Sequence, residues 1–263
     1  MNNLTHYPLL IFVISFMTLW LAALLGRYVL RRQRMPNKEM RDDFSIILTA
    51  TLTLLGLIIG FSFSMATDRY NNRRNFEEAE ANAIGTEFVR VELLPTNDAN
   101  KLQGLLRSYL DQRIAFYQAE KDEELHQIAV RTTALENELW AAIRAPAAAQ
   151  PTPVVALAVS GMNDVLNSQG YTQAGYWNRI PRGAWSLLGA IAIGCNLMVG
   201  YLSRSTASGS RLLPILPLLV AVAFMFIADI DAPRHGIIRV KPLNLMSLAE
   251  SLDPDRPTTS PPK

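Results

Sequence analysis

The stretch Leu54-Leu-Gly-Leu-Ile-Ile-Gly-Phe-Ser-Phe-Ser-Met-Ala-Thr-Asp-Arg-Tyr-Asn-Asn-Arg-Arg74 decides how this chain is read. It begins inside a window, Phe44–Thr67, that contains no Asp, Glu, Lys or Arg. A helix rises about 1.5 Å per residue and roughly 20 apolar residues cross the ~30 Å hydrocarbon layer, so this window is long enough to span a bilayer. It also lacks the polar face that a soluble amphipathic helix carries. Beyond Gly60 no Gly or Pro interrupts the run through Asp68-Arg-Tyr-Asn-Asn-Arg-Arg-Asn-Phe-Glu-Glu-Ala-Glu-Ala-Asn-Ala83. The sequence predicts one helix that leaves the membrane through a densely charged exit.

Three further windows are uncharged: Pro8–Gly26, Gly183–Ser203 and Leu212–Ala228. They explain why only 18% of the 263 residues are charged, against roughly 25% in soluble domains. Four membrane spans are expected, at about 8–30, 44–67, 183–203 and 212–230. The fourth is the shortest, and Pro214 and Pro217 predict a kinked entry near one interface. The first is read as an anchored helix rather than a cleaved signal. Nothing basic precedes it, and Arg27, Arg31, Arg32 and Arg34 follow it, the reverse of a signal peptide.

The organisation that follows is spans one and two in 1–67, a helical extramembrane domain in 68–182, and spans three and four in 183–230. A membrane-proximal segment occupies 231–252 and a Pro-rich disordered tail 253–263. Within the domain, Leu102, Leu105, Leu106, Tyr109, Leu110, Ile114 and Tyr117 keep helical spacing, as do Leu125, Ile128, Leu135, Leu139, Trp140 and Ile143. The two helices meet near Lys121. The continuation of span two runs to a break at Pro95. Ala145–Pro153, with three prolines, reads as a linker, Val154–Leu166 as a shorter helix ending near Gly170, and Leu243–Leu252 as a short amphipathic helix. No segment alternates with period two, so the chain is expected to be all-α, a four-span bundle carrying a soluble helical domain.

Lys and Arg near the span ends set orientation. The two sides carry equal numbers, and the bases after span one, Arg27 to Arg41, break the tie. Both termini and the central domain are then expected on the non-cytoplasmic side of a plasma membrane, the inner membrane in a bacterium.

Enzyme chemistry has little support. One cysteine, Cys195, excludes an internal disulfide framework and a multi-thiolate zinc site. His6, His126 and His235 fall in different regions, and no HExxH, GxSxG or GxxxxGK[ST] motif occurs. No catalytic residue, metal or cofactor is expected, and no nucleic acid.

The quoted stretch resembles the second transmembrane segment of bestrophins, in which an apolar Gly-Phe run leads into an Asp-Arg-aromatic group and a further Arg. With Glu80-Ala-Asn-Ala-Ile-Gly-Thr-Glu-Phe88 and Pro233-Arg-His-Gly-Ile-Ile-Arg239 it is closer still to the bestrophin-like family. The resemblance implies a homopentameric ion channel in the lipid bilayer, with inorganic ions as its cargo. It implies four spans per subunit, the second lining an apolar neck, and a helical domain around the rest of the pore. Carried onto this chain, the neck is Phe61 with Leu57 and Thr53, and Ser64 and Asp68 continue that face. The acidic calcium clasp of eukaryotic bestrophins has no counterpart beyond Asp229 and Asp231, which puts calcium gating in doubt. Bestrophins keep their termini and helical domain in the cytoplasm, opposite to the charge-based orientation.

Each candidate has a plainer reading. Phe61 and Leu57 in a dewetting gate compete with Phe61 and Leu57 against lipid. Asp68, Arg69, Tyr70 and Arg73 at a pore vestibule compete with paired interfacial charges. Glu77, Glu78, Glu80 and Glu87 as a cation-attracting surface when repeated fivefold compete with a solvated helix face carrying i, i+4 partners, the latter weighing more. Asn82 and Gly85 in mid-helix point to close packing, and Asn196 in span three to a partner across a helix interface. Asp229, Asp231, Arg234, His235 and Arg239 form either a gating corner or salt-bridged anchoring of the helix end, the latter weighing more. The alternative function is a membrane-anchored helical scaffold or sensor that binds a protein partner and conducts nothing.

Overall fold

The computed structural model describes residues 7–28, 38–203, 211–234 and 236–253. Among these the elements are α1 (Pro8–Tyr28), α2 (Lys38–Arg90), a 3₁₀ turn (Val91–Leu93), α3 (Thr96–Gln118), α4 (Asp122–Ala149), α5 (Pro153–Trp177), α6 (Arg182–Leu202), α7 (Ile215–Asp231) and α8 (Leu243–Leu252). The protein is all-α, with no strand among the described residues. Two compact units arise, one from the described parts of Met1–Tyr70 and Arg179–Arg239, the other from those of Asn71–Asn178 and Val240–Lys263. The helix α2 supplies residues to both.

The first unit holds the uncharged windows. Its core is Leu19, Leu55, Leu188, Ala192, Cys195, Val220 and Phe224. Between α1 and α6 the packing is closest where side chains are smallest: Gly26 lies against the Leu197 carbonyl, and Gly200 against that of Ala23. A Cβ at either glycine would collide with backbone, as expected where apolar helices gain their attraction from close approach rather than from expelling water. Among the described residues three helical stretches are long and apolar enough to cross a membrane, Pro8–Tyr28, Asp42–Leu93 and Pro153–Leu202. The fourth window forms α7, at 17 residues shorter than those three; Pro214 caps it and Pro217 sits in its first turn, where a missing N–H leaves no intrahelical bond unmade.

The second unit packs α3, α4, α5 and α8 with the C-terminal part of α2. Its core takes Ile84, Phe88 and Val91, with Leu102, Leu106, Tyr109 and Leu110 from α3, Leu135, Leu139 and Ile143 from α4, Met162 and Val165 from α5, and Leu245 from α8. The pair α3 and α4 is the pair that the spacing predicts, and Asp122, Glu123 and Glu124 in the first turn of α4 complement its positive N-terminal end.

Two boundaries differ from the expectation. The linker at Ala145–Pro153 shrinks to Gln150–Thr152, because α4 runs through Pro146 to Ala149. Pro146 is buried on the same face as Leu139, Ala142 and Ile143, and packing of that face outweighs one lost backbone bond near the helix end. The helix α5 does not end near Gly170 but at Trp177, since Thr172 and Tyr176 continue its buried face. Its start is set by Thr152, whose hydroxyl accepts from the Val155 N–H at 3.3 Å, and by Pro153 at the first helical position.

Candidate functional site

Helix α2 has two unlike faces. On one, Thr53, Leu57, Phe61, Ser64 and Asp68 succeed one another at three- or four-residue steps and all are exposed. Leu57 is 54% exposed and Phe61 64%. On the other, Leu55, Ser62 and Ala66 are buried within the first unit, and Arg73, Glu77, Glu80, Ile84 and Glu87, followed by Val91 of the 3₁₀ turn, within the second. The five residues expected at the neck therefore share one open face. Gly56 and Gly60 are also open, with nothing within 4 Å of where a Cβ would stand.

Arg69 and Tyr70 are half-buried, and Tyr70 packs against the small core of Ala66, Ile180, Ile227 and Ile230. Arg73 is 2% exposed, and its stem lies beside Gly175 of α5. The motif residues thus divide: Asp68 stands on the open face, while Arg73 belongs to the interior of the second unit.

The acidic run corrects the sequence reading. Only Glu78 is exposed; Glu77, Glu80 and Glu87 are buried. Glu80 accepts from the Arg113 Nε–H, from the Tyr117 hydroxyl at 3.2 Å and from the Thr172 hydroxyl at 3.1 Å. This joins α2, α3 and α5 around one carboxylate. Burial is the largest single influence and acts to lower the Arg113 guanidinium, but Glu80, Tyr109 and Tyr117 together outweigh it and hold Arg113 above its ordinary value. Burial raises the nearby Tyr109, Tyr117 and Glu136.

Glu77 meets the start of α8. Its Oε1 accepts from the backbone N–H groups of Asn244 (2.9 Å) and Leu245 (3.0 Å), and its Oε2 from the Asn244 amide at 2.6 Å. These are first-turn amides with no intrahelical partner, so the carboxylate caps α8 from a distant part of the sequence. Burial pushes Glu77 up, and the three donors pull it back. Glu87 is fully buried beside Gly161 of α5, and neither of its oxygens has a hydrogen-bond partner. Burial first, opposed by Arg90 and assisted by Asp164, pushes its carboxyl up to about 8.

Asn82 is exposed, whereas Gly85 does mark a close approach: a Cβ there would stand 3.0 Å from the Leu248 side chain of α8. Among the described residues Asn196 has no cross-helix partner; its amide donates to the Ala192 carbonyl of its own helix at 2.8 Å.

After α7 the carboxylates brace backbone. Asp229 accepts from the N–H groups of Ile237 (2.7 Å) and Ile238 (3.0 Å). Asp231 accepts from the Ile180 N–H at 3.2 Å, and Arg179 stands near it. Arg234 is half-buried, and its carbonyl accepts from Arg239 at 3.4 Å. His235 lies outside the described residues. This geometry favours anchoring of the chain after α7. Among the described residues no group of three or more His, Cys, Asp or Glu is placed to hold a metal ion.

The model of the Bestrophin-like domain matches residues 15–245. The chain belongs to the bestrophin-like family. Its fold is shared with a bacterial Bestrophin homolog from Klebsiella pneumoniae: a single-residue variant aligns at TM-score 0.64 and 11% identity, covering 91% of this chain and 97% of that one. A second structure of that homolog gives TM-score 0.62, 11% identity, and 93% and 96% coverage. A structure described as a membrane protein gives 0.63, 11%, 91% and 97%. Comparison with curated proteins gives no match. Bestrophin-like membership and the apolar helices together make this a membrane protein.

Sequence reasoning missed two features of the bestrophin-like chain: the burial of Glu77, Glu80 and Glu87, and the docking of α8 on Glu77. A faint signal existed. Arg73, Glu77, Glu80, Ile84, Glu87 and Val91 alternate at four- and three-residue steps, which places the acids in register with two apolar positions.

Proposed function

We propose that the protein is a homo-oligomeric ion channel, a pentamer as the bestrophin resemblance implies, with the open face of α2 lining the conducting path. One observation carries this reading. The apolar part of α2 leaves its surface uncovered within one chain, only 6% of its most apolar window being buried against 22% for α1. Copies arranged around an axis would cover the flanks of that window and leave Thr53, Leu57 and Phe61 around the axis. Side chains of that kind form a constriction that wets or dries. Ser64 and Asp68 then lead from the constriction into water. Four spans cross the plasma membrane, α7 being the fourth, and the termini and the second unit are assigned to the non-cytoplasmic side.

Ion flux from liposomes containing the purified protein, measured beside its oligomer mass in mild detergent, tests the reading. A folded oligomer that passes no ion under any salt or pH tested overturns it. A monomer or dimer favours the partner-binding scaffold instead. Reactivity of a single cysteine introduced at Gln118 in whole cells decides the side.

A further inference from the structure

Helix α6 carries a row of residues, Arg182, Trp185, Gly189 and Ile193, at three- and four-residue steps on one face. The last three line a groove against Ile11, Ile14 and Ser15 of α1, wholly within the first unit. The groove holds about 260 Å³, and among the described residues no charged side chain lines it. An apolar space of roughly 150 Å³ takes a molecule the size of benzene, so this one has room for a stretch of hydrocarbon chain. The Ser15 hydroxyl donates to the Ile11 carbonyl of its own helix at 2.6 Å. Gly189 keeps the floor open, with nothing within 4 Å of where its Cβ would stand.

Trp185 stands at the water end of the groove. It lies in the first turn of α6, two residues inside the uncharged window that begins at Gly183. Its ring meets Phe224 of α7 edge-on, with centroids 6.0 Å apart, and its indole N–H is buried without a hydrogen-bond partner. Buried donors ordinarily find an acceptor, and an indole at the edge of a bilayer turns its apolar body to hydrocarbon and its N–H to a polar group. From Trp185 to Ile193 is eight residue steps, about 12 Å of helix axis. That depth fits inside the ~15 Å of hydrocarbon in one leaflet. On the other side of Trp185, Arg182 is exposed at the first residue of the helix.

We propose that the groove between α1 and α6 binds one phospholipid, whose acyl chain lies along Gly189 and Ile193, whose ester carbonyl accepts from the Trp185 indole N–H, and whose phosphate pairs with Arg182. The order along the row is cation, buried donor, hydrocarbon wall, which is the order of phosphate, ester and chain in a phospholipid. A fatty chain alone would leave the indole N–H without an acceptor, and a free phosphate would leave the groove empty. The site needs only that α1 and α6 cross the bilayer, so it stands or falls separately from ion conduction.

The test titrates the delipidated full-length protein in mild detergent with dioleoyl phosphatidylglycerol and counts bound lipid by native mass spectrometry. One tightly held lipid per chain is expected. The di-ether analogue has no ester carbonyl and should bind about five- to tenfold more weakly. Trp185→Phe keeps the ring against Phe224 but removes the donor; it should weaken the ester lipid by the same factor and leave the ether lipid unaffected. Arg182→Gln should weaken both lipids. Gly189→Leu should fill the groove and abolish tight binding of both, with the oligomer mass of the protein unchanged. Equal affinity of the unaltered protein for ester and ether lipids overturns the assignment, and that comparison needs no variant to fold. Tight lipid that survives Gly189→Leu overturns it as well, since the chain then lies elsewhere. So does a fall in oligomer mass in Gly189→Leu, which would mean that a second copy of the chain, not a lipid, covers the groove.

Discussion

Glu80 on α2 and Arg113 on α3 form an ion pair in which neither side chain is more than 1% exposed. The pair is closed off from the surface, so the carboxylate's other oxygen must be satisfied by protein, and Tyr117 and Thr172 do this. Removing one partner leaves the other charged and buried. Glu80→Ala should therefore destabilise the second unit by about 3–5 kcal/mol, whereas Tyr117→Phe, which removes one donor to the same carboxylate, should cost about 1–2 kcal/mol. Denaturant unfolding followed by the tryptophan signal measures both. Equal and small losses would mean that the pair is solvated in the working protein.

Phe61→Ala concerns the opposite face of the same helix. The ring is 64% exposed in the single chain, so truncating it removes little packing. If it stands at the neck, the opening widens and unitary conductance should rise at least twofold, with the unfolding midpoint unchanged; Leu57→Ala should act in the same direction. Single-channel recording decides. Conductance that stays at its original value would remove Phe61 from the neck.

Glu77→Ala should loosen α8 while leaving the rest of the second unit folded. The carboxylate satisfies two backbone amides and one side-chain amide at the start of that helix, a capping role worth about 1–2 kcal/mol. Amide hydrogen exchange over 243–252 should quicken at least fivefold, and over α3 and α4 it should not change. Protection that persists throughout α8 would show that Leu245 and Ala249, both buried, hold the helix without the cap.

These relationships also show how far the sequence could be read. Uncharged length marks a span whatever surrounds it, so the windows in α1, α2 and α6 were legible, and so was the face shared by Thr53, Leu57 and Phe61. Fates of charged residues on α2 were not. Glu80 finds Arg113 33 residues away, and Glu77 finds Asn244 167 residues away, separations that no local pattern encodes. Pro146 misled for a related reason. A proline near a helix end is a break by propensity, but the packing of its face belongs to the tertiary structure. Asn196 donates its amide N–H to the preceding turn of its own helix, a choice available to any Asn in a span and invisible before the backbone is known.

Glu87 gives the second unit a pH dependence. Its carboxyl titrates at about 8 in the folded chain against an ordinary 4.5, and burial is the largest cause. Between those values the native state holds a proton that the unfolded state has released, so the unfolded state binds fewer protons and stability falls as pH rises. The contribution is fully present below about pH 4.5, declines through neutrality, and is lost once pH passes about 8. The charged groups facing Glu87 are Arg90 on its own helix and Asp164 on α5, and these two pair with each other at 4.0 Å. Glu87→Gln keeps the shape and cannot ionise. It should therefore be more stable than the parent at pH 8 to 9, equal to it near pH 4.5, and flatter in between. Gly161→Ala should push the Glu87 carboxyl and the Arg90 guanidinium aside, since the added methyl would occupy the space their ends now fill. Melting temperatures across pH 5 to 9 for the parent and the Gln variant carry the test: parallel curves would mean that Glu87 is ionised in the folded protein and paired, contrary to its two unpartnered oxygens.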